Sequence, residues 1–246
     1  MKSRGKVLIA VPTYNEADVI EDNIKRLREF LISNLDHDYE IVVADNASAD
    51  NTVAKVMTLS ETYSEVKWIH LDQKGKGGAI KKVWSENDAD IVVLVDADLS
   101  PDVSAFPQLI AALDDGYDVA IGSRFLKGSQ VKRSFKRTFL SRGYNLLLRL
   151  LFRARFSDAQ CGFKAMKKRA FLELLPAIKN NEWFFDTELL IRSQRRGLKI
   201  KEIPINWVER RESKEQPLKA VFNYIVLLRR LYFEFRLNDH HEGAGN

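Results

Sequence analysis

The sequence predicts an α/β protein with a mostly parallel sheet flanked by helices, and three observations support that prediction. The chain has 246 residues, of which 45% are apolar, which is enough for a substantial core. Apolar runs of strand length alternate with segments of helical periodicity, as in sheets whose parallel strands are joined by helices. Polar residues directly follow each apolar run. Ligands of such sheets bind at the carboxyl ends of the strands, so these polar residues should share one cleft.

Five strands and the helices between them can be placed along the chain. The strand-length apolar runs are 6–11, 39–44, 66–71, 91–95 and 118–121, and helical periodicity spans 18–32 and 79–86. After about residue 123 the alternation fades, and amphipathic helices are expected towards the C-terminus. No linker rich in Pro, Gly or Ser and no internal repeat interrupts the sequence. A single domain over residues 1–246 is therefore predicted.

Three features of the sequence indicate the cellular compartment of the protein. The apolar stretch 7–12 is too short for a signal peptide. The single cysteine, Cys161, excludes an intramolecular disulfide and is typical of a reducing compartment. No stretch has the roughly 18 uninterrupted apolar residues of a membrane-spanning helix. These features predict a cytoplasmic protein.

The net charge of +5 is concentrated in one segment. Residues 119–157 contain no Asp or Glu but ten basic residues, namely Arg124, Lys127, Lys132, Arg133, Lys136, Arg137, Arg142, Arg149, Arg153 and Arg155. Apolar residues recur among them at helical spacing, namely Phe139, Leu140, Tyr144, Leu147, Leu148, Leu151 and Phe152. This pattern favours a helix on an anionic membrane surface, and the alternative is a core-packing helix with a solvated basic face. Nucleic acid is disfavoured as a partner, because the apolar residues are mainly long aliphatics instead of stacking aromatics.

Two carboxylates, Asp96 and Asp98, end the apolar run 91–95. Alternate side chains of an extended strand share a face, so both carboxylates should point to the same side. Two hard oxygen ligands suit Mg²⁺ or Mn²⁺, which keep positions open for water and substrate phosphates. The alternative is a pair of solvated aspartates at a strand end.

A glycine-rich segment, Gly75-Lys76-Gly77-Gly78, has neither the Walker A spacing nor G-x-G-x-x-G. A glycine turn before a helix that begins at Ala79 would present backbone N–H groups to an anion, with Lys76 adding charge. A nicotinamide-dependent oxidoreductase is disfavoured, because Pro12-Thr-Tyr-Asn15 stands where its glycine fingerprint would follow the first strand.

A second acid pair, Asp186 and Glu188, follows the aromatic run 183–185. An N-cap aspartate with a glutamate in the first helical turn is the alternative to a functional role. Neither a Ser/His/Asp nor a Cys/His arrangement is evident, and Cys161 is expected to be a small buried residue.

Eight segments, in chain order, resemble those of family 2 glycosyltransferases with the GT-A fold. The first four are AVPTYNE at 10–16, VADNASADNT at 43–52, KGKGGA at 74–79 and DAD at 96–98. The others are GSR at 122–124, DAQCGFK at 158–164, WFFDTELL at 183–190 and NWVERRESK at 206–214. These later segments resemble the branch that glycosylates a polyprenyl phosphate, closest to dolichyl-phosphate glucose synthases and related to dolichol-phosphate mannose synthases.

The resemblance implies a nucleotide-binding half over about 6–123, an acceptor-binding half over about 124–214, and a C-terminal helix and tail over 215–246. The implied nucleotide-sugar site comprises Pro12, Tyr14, Glu16, Asp45, Lys76, Asp96 and Lys214. The implied metal ligands are Asp96 and Asp98, and the implied catalytic residues are Asp98, Arg124 and Asp186. Arg137 and Ser141 would bind the acceptor phosphate. Ser100 stands where the family often has a glutamine that completes the metal shell.

The implied reaction moves a hexose from UDP-glucose or GDP-mannose to a polyprenyl phosphate, with inversion and with Mg²⁺ or Mn²⁺ bound. A phosphate monoester has a second pKa of about 6, so near neutral pH this acceptor attacks without a general base. Two alternatives remain open: extension of a glycan on a hydroxyl acceptor, which needs a base, and a non-catalytic nucleotide-sugar or membrane-binding module. Peripheral contact with the cytoplasmic face of a membrane is expected, and whether a partner protein anchors the chain there is left open.

Overall fold

The computed structural model describes residues 5–209 and 217–243, which form nine strands and eight α-helices. The strands are β1 Val7–Thr13, β2 Tyr39–Asn46, β3 Val66–Leu71, β4 Ile91–Val95, β5 Val119–Ser123, β6 Gln130–Lys132, β7 Phe163–Lys167, β8 Ile200–Pro204 and β9 Asn206–Val208. The helices are α1 Ile20–Asn34, α2 Thr52–Thr62, α3 Lys76–Ser85, α4 Phe106–Asp114, α5 Phe135–Phe152, α6 Lys168–Leu174, α7 Phe185–Arg195 and α8 Pro217–Gly243.

The central sheet has seven strands in the order β3-β2-β1-β4-β7-β5-β8. All neighbours pair in parallel except β7, which is antiparallel to both β4 and β5. The five predicted strands are confirmed within a few residues. The sequence pattern did not indicate β7, because its lysines interrupt the apolar run although Lys164 is fully buried.

Helices cover both faces of the sheet, which explains the continuous apolar runs of β1 and β4. Alternate residues of β1 divide between two core clusters, with Val7 and Ile9 in one and Leu8 and Ala10 in the other. The first cluster also contains residues of α1, α2 and α4. The second contains residues of α3, α5, α6, α7 and α8. The helix α5 therefore lies on the opposite face of the sheet from α1.

The small pair β6 and β9 lies near the carboxyl end of β4. These two strands pair in parallel, and the backbone of Trp207 forms an isolated bridge with Pro101. The N–H of Val208 donates to the carbonyl of Ser100 at 3.0 Å, and the N–H of Asp102 donates to the carbonyl of Asn206 at 2.8 Å. The second half of the chain thus borders the Asp96 to Pro101 turn.

The basic segment folds as predicted into an amphipathic helix, α5, with one difference in which side chains are exposed. Ser134 caps it by accepting the Arg137 N–H at 3.4 Å, and it ends at Arg153 in the left-handed region, with φ 51°. Leu148, predicted to face a membrane, is buried against the core, and Leu147 and Phe152 are partly buried there. Among the described residues, no helix is both long enough and apolar enough to cross a membrane.

Candidate active site

The carboxylates of Asp96 and Asp98 are presented by a tight turn, not by an extended strand as predicted. The strand β4 ends at Val95, and the Leu99 N–H donates to the carbonyl of Asp96 at 3.0 Å. Leu99 has a positive φ of 46°, and its side chain and that of Ala97 are buried. These buried apolar residues fix the turn, which leaves both aspartate side chains half-buried at the end of the sheet.

The carboxylate of Asp96 lies against the backbone of Gly162. A Cβ at position 162 would lie 1.6 Å from Oδ2 of Asp96, so no residue other than glycine fits there without displacing the carboxylate. Burial raises the pKa of Asp96, and the charge of Asp98 adds to this, against the opposite effect of Lys76.

Ser100 holds Asp98 in position. Its backbone N–H donates to Oδ1 of Asp98 at 2.9 Å, and its hydroxyl lies 2.6 Å from Oδ2. Ser100 is buried. Its hydroxyl and backbone N–H therefore orient the Asp98 carboxylate.

Lys76 connects the turn to α7. Its ammonium lies 2.8 Å from Oδ1 of Asp96 and 3.2 Å from Oδ2 of Asp186, and the side chain is buried. Burial alone would lower the pKa of Lys76, but the charges of Asp186 and Asp96 outweigh it and raise that pKa. The Lys164 ammonium lies 2.7 Å from Oδ1 of Asp186. Asp186 is thus held between two lysines, and their charges lower its pKa despite its burial.

The glycine-rich segment packs against the start of α7, and the predicted contact of its backbone N–H groups with an anion stays a prediction. Helix α3 begins at Lys76, not at Ala79. A Cβ at Gly77 would lie 2.5 Å from the Cβ of Phe185, and the Gly78 N–H donates to the carbonyl of Asn181 at 2.9 Å. The glycines therefore bring α3 close to the start of α7, and the Gly78 N–H is already bonded.

The ends of β1, β2 and β3 bring a second polar group together. Thr13, Asp45 and His70 are register neighbours on the three strands, so their side chains share one face. Oδ2 of Asp45 accepts from the Ser48 N–H at 3.1 Å and lies 2.8 Å from Nδ1 of His70. Oδ1 of Asp45 is buried and has no hydrogen-bond partner within residues 5–209 and 217–243.

The loops after β1 and β2 are joined to each other. The Asn15 N–H donates to Oγ of Ser48 at 2.8 Å, and the Glu16 N–H donates to Oγ1 of Thr52 at 2.8 Å. The Lys74 ammonium lies 3.9 Å from the centre of the Tyr14 ring. Pro12, the residue before Thr13, is paired with Ala44. The predicted nucleotide-binding residues of the first two loops therefore lie together at the carboxyl ends of β1 and β2.

Arg124 is fixed by a buried ion pair. Its Nε and Nη2 donate to Oδ2 and Oδ1 of Asp158, each at 2.7 Å, and its guanidinium carbon lies 4.7 Å from the centre of the Trp207 ring. Burial opposes protonation, but Asp158 outweighs it, and Cys161 and Asp96 add smaller contributions that raise the pKa of Arg124 further. Arg124 thus lies within electrostatic reach of the carboxylate turn.

Arg137 and Arg133 differ in the partners of their guanidinium groups. Arg137 forms an ion pair with Glu209. Arg133 has its Nη1 3.3 Å from Oγ of Ser141, and its buried Nε has no partner within the described chain. Burial and the charge of Arg124 lower the pKa of Arg133 to about 10. Arg137 and Ser141 were predicted to bind the acceptor phosphate. Arg133, which was not predicted, lies beside Ser141 with an unpaired Nε that only the packing reveals.

Glu188 and Cys161 have structural roles. Glu188 is fully buried, and its Oε1 accepts from the Arg192 guanidinium while its Oε2 accepts from the N–H groups of Lys179 and Asn180. Burial raises the pKa of the Cys161 thiol to about 12. Asp186 is the member of the acid pair that faces the site, and it lies in the first turn of α7 without capping it.

Lys214, which was predicted to bind the nucleotide sugar, lies outside the described residues.

The turn is suited to a divalent cation that keeps some of its coordination positions open for water and substrate. No group of three or more His, Cys, Asp or Glu side chains in residues 5–209 and 217–243 forms a complete protein cage. Mg²⁺ and Mn²⁺ are commonly held by one or two carboxylates together with substrate phosphates, and Asp96 and Asp98 provide those two.

Residues 8–175 match the family model described as glycosyl transferase family 2. The chain belongs to this family. The resemblance inferred from the motifs is thereby confirmed, and the predicted GT-A fold is confirmed by solved structures. Glucosyl-3-phosphoglycerate synthase from Mycobacterium tuberculosis superposes with a TM-score of 0.73 at 21% identity, over 94% of this chain and 81% of that chain. Its complex with Mn²⁺, UDP and glucosyl-3-phosphoglycerate has a TM-score of 0.74 at 20% identity, over 94% and 81%.

Curated relatives of this family 2 chain are named glycosyltransferases. Glycosyltransferase AglD of Haloferax volcanii is 35% identical over 85% of this chain, which spans 34% of that protein. A dolichyl-phosphate beta-glucosyltransferase of Dictyostelium discoideum is 29% identical over 93% of this chain and 74% of its own length. A dolichol-phosphate mannosyltransferase of Pyrococcus furiosus is 31% identical over 92% and 63%. The chain thus spans about a third of one of these relatives and less than two thirds of another.

Proposed function

We propose that this family 2 glycosyltransferase moves a hexose from a nucleotide diphosphate sugar to a polyprenyl phosphate, with inversion at the anomeric carbon. The observations that support this most are the carboxylate turn, Asp96 to Asp98, and the buried Nε of Arg133, which has no hydrogen-bond partner among the described residues and belongs to a guanidinium 3.3 Å from Oγ of Ser141. The first suits a metal-bound diphosphate, and the second suits an anionic acceptor. Relatives named for dolichyl phosphate are consistent with this acceptor.

The donor is expected to lie along the carboxyl ends of β1, β2 and β4. Asp45 would receive the base, with Pro12, Tyr14 and Glu16 beside it, and Asp96 and Asp98 would hold Mg²⁺ or Mn²⁺. The bound ion would supply neutralisation of the leaving diphosphate. Ser100 keeps Asp98 oriented, and Lys76 keeps the Asp96 carboxylate balanced by a cation. The structural neighbour described with Mn²⁺ and UDP is consistent with this arrangement.

The acceptor phosphate would be bound by Arg133, Ser141 and Arg124. The donors Nη1 of Arg133 and Oγ of Ser141 lie within 3.3 Å of each other, so one phosphate can engage both. The phosphate dianion needs no deprotonation before it attacks, which makes positioning and charge neutralisation the main contributions of the protein. Arg137 would contribute through its pairing with Glu209, which fixes the start of α5.

A hydroxyl acceptor would require a general base, and the acid pair supplies a poor one. Two lysines surround Asp186 and lower its pKa, which weakens it as a proton acceptor near neutral pH. Both oxygens of Glu188 already accept hydrogen bonds. The acid pair therefore favours an acceptor that is already ionised.

Transfer can be tested with purified protein, MnCl₂ and radiolabelled UDP-glucose or GDP-mannose. We expect radiolabel to appear in the organic phase when the acceptor is a polyprenyl phosphate, but not when it is the free polyprenol. Removal of the metal by EDTA should stop the reaction, and added Mn²⁺ should restore it. Equal use of the polyprenol would favour the hydroxyl-acceptor reaction, and absence of transfer from either donor would contradict the proposal.

We also propose that α5 contacts an anionic membrane surface. Its exposed residues include one stripe, namely Phe135, Phe139, Arg142, Leu146, Arg149 and Leu150, and the exposed Arg153 follows directly after the helix. A stripe of apolar and basic side chains without an acid is typical of helices that lie in a membrane interface. Such contact would bring the cationic group around Arg133 to the head groups, on the cytoplasmic face if the donor is cytoplasmic.

A further inference from the structure

We infer that Trp183 binds the hexose of the donor by stacking its indole ring against the C–H groups on one face of the sugar. The inference rests on the proposed function and deepens it, because it names a residue that recognises the sugar and not the nucleotide. It starts from a difference among the four tryptophans. Trp183 is 47% exposed, whereas Trp84 is fully buried and Trp68 and Trp207 are partly buried.

The position of Trp183, more than its exposure, points to a ligand. Single exposed apolar side chains are common on protein surfaces and need no function. The Lys76 ammonium, however, lies over the face of the Trp183 ring, 5.0 Å from the ring centre, and 2.8 Å from Oδ1 of Asp96. The ring centre is therefore no farther from that oxygen than these two distances combined, which is within the length of a sugar diphosphate. Because the hexose is joined directly to the diphosphate, a diphosphate at the carboxylate turn brings the hexose to Trp183.

Both ends of this span are accessible to a ligand. The Asp96 side chain is 24% exposed and Trp183 is 47% exposed, while the Lys76 side chain between them is buried. The carboxylate and the ring therefore border one open surface, and the buried ammonium fixes the orientation of both.

The loop that carries Trp183 is anchored on both sides of it. Before Trp183, the Asn180 N–H donates to Oε2 of the buried Glu188 at 2.8 Å, and the Asn181 carbonyl accepts the Gly78 N–H at 2.9 Å. After Trp183, the side chains of residues 184 and 185 are fully buried in the core. An aromatic side chain on a fixed backbone is preorganised for binding, because little conformational freedom remains to be lost.

A hexose has the chemistry that this surface recognises. One face of a pyranose ring presents mainly C–H groups, whose partial positive charges favour the electron-rich face of an aromatic ring. Tryptophan offers a large rigid face with only two side-chain torsions to order. The hydroxyls at the rim of the sugar stay available to water and to charged side chains. A nucleoside diphosphate without a sugar has no group at this position, so Trp183 contributes to binding of the nucleotide sugar alone.

The polyprenyl chain of the acceptor is the other apolar group that Trp183 could contact. The ion pairs of Lys76 favour the donor, because this ammonium connects the ring to Asp96 in the carboxylate turn. The acceptor phosphate, in contrast, is assigned to Arg133 and Ser141 at the start of α5. The two assignments predict effects on different substrates, which binding and kinetic measurements separate.

Calorimetry on the full chain with Mn²⁺ present tests the inference by comparing UDP-glucose with UDP and GDP-mannose with GDP. For the nucleotide sugar that the wild-type protein binds, Trp183→Ala should raise the dissociation constant about tenfold. The constant for the matching nucleotide should change less than twofold. Trp183→Phe keeps an aromatic face and should lose less than threefold, whereas Trp183→Leu, which is apolar but not aromatic, should resemble Trp183→Ala.

A matched control is available on another helix. Met57 is an exposed apolar residue of α2, and Met57→Ala should leave both constants unchanged. Thermal melts of all variants verify that they fold. Steady-state rates with the polyprenyl phosphate varied then show whether the acceptor is affected, and its KM should change less than threefold in Trp183→Ala.

The outcomes separate the inference from the proposed function. Unchanged binding of the nucleotide sugar by folded Trp183→Ala, or an equal loss for the nucleotide sugar and the nucleotide, would overturn the inference while leaving glycosyl transfer intact. An effect confined to the KM for the polyprenyl phosphate would also overturn it and assign Trp183 to the acceptor chain. A wild-type protein that binds neither UDP-glucose nor GDP-mannose would contradict the proposed function itself.

Discussion

The ammonium of Lys76 lies 2.8 Å from Oδ1 of Asp96, so a helix N-terminus and a strand-end turn meet at one ion pair. The lysine is the first residue of α3, and the close packing of Gly77 on Phe185 brings that helix end into the site. The same ammonium reaches Asp186 on α7. The carboxylate turn is therefore supported by two helices that approach each other only because glycines stand between them.

Lys76→Met should destabilise the protein by about 3 kcal/mol, because it removes a cation from two carboxylates in a buried setting. Lys82→Met is the matched control on the same helix, since its pair with Glu86 is solvent-exposed and worth about 0.3–0.5 kcal/mol. Urea unfolding of both variants measures the difference. Equal midpoints would mean that water or ions replace the Lys76 ammonium without cost.

Asp98→Ala should reduce transfer on the order of 100-fold or more while the melting temperature stays within a few degrees of the wild-type value. Asp98 is half-buried and accepts from Ser100, so its loss costs little packing. Asp102→Ala is the control, because that carboxylate accepts the Ser104 N–H just beyond the turn. Initial rates over a Mn²⁺ titration provide the measurement. Full activity of Asp98→Ala at low Mn²⁺ would remove the metal role from this turn.

Much of this site could be predicted from motifs, and the part that could not depends on packing. The apolar run before Asp96 and Asp98 placed both at the end of β4, but the turn at Leu99 depends on which apolar side chains find the core. The strand β7 was missed because a buried lysine looks like a surface residue until its partner Asp186 is known. Charge pairing between distant residues is likewise invisible in a single sequence.

The two arginines near Ser141 show most directly that the sequence alone does not reveal which charged residues pair. The motif resemblance favoured Arg137, four residues before Ser141, and only the fold places Glu209 against it. Arg133 lies in no recognised motif, and its significance comes from the missing partner of its Nε. Sequence spacing could locate a basic cluster but not the arginine whose Nε has no hydrogen-bond partner among the described residues.

Arg133→Gln should raise the KM for the phosphate acceptor by roughly 10- to 100-fold, the range for a hydrogen bond to a charged group. The KM for the nucleotide sugar should change less than threefold. Arg137→Gln, the matched control, should affect the acceptor less, because its partner Glu209 already balances the charge. Steady-state rates with one substrate varied at a time measure both constants. The reverse order of effects would place the acceptor phosphate at Arg137.

Cys161 should resist alkylation in the folded protein. With a pKa raised to about 12 by burial, the thiolate fraction at pH 8 is on the order of 10⁻⁴, and the thiol is also inaccessible. Iodoacetamide at pH 8 should therefore label the native protein hardly at all over an hour and label the one cysteine fully in guanidinium chloride. Mass spectrometry counts the adducts. Rapid labelling of the native protein would indicate that the segment beneath Asp96 opens.

The outward stripe of α5 should hold the protein on anionic vesicles. Each basic residue near such a surface contributes about 1 kcal/mol, and exposed apolar side chains such as Phe139 and Leu150 add burial in the interface. Reversal of Arg149 and Arg153 to Glu, or replacement of Phe139 and Leu150 by Ser, should lower cosedimentation with phosphatidylserine vesicles at least tenfold. Binding of the wild-type protein should weaken with salt.

The same α5 variants should distinguish acceptors by chain length. Activity on a long-chain polyprenyl phosphate in vesicles should fall with binding, whereas a short water-soluble acceptor should be used nearly as before, because the stripe faces away from Ser141 and the core. Arg26→Glu with Ile32→Ser is the matched control, since both side chains are exposed on α1 across the sheet from α5. Equal loss on both acceptors would assign these α5 residues to the fold or the active site. Vesicle binding that neither salt nor the variants alter would leave α5 with a solvated basic face only.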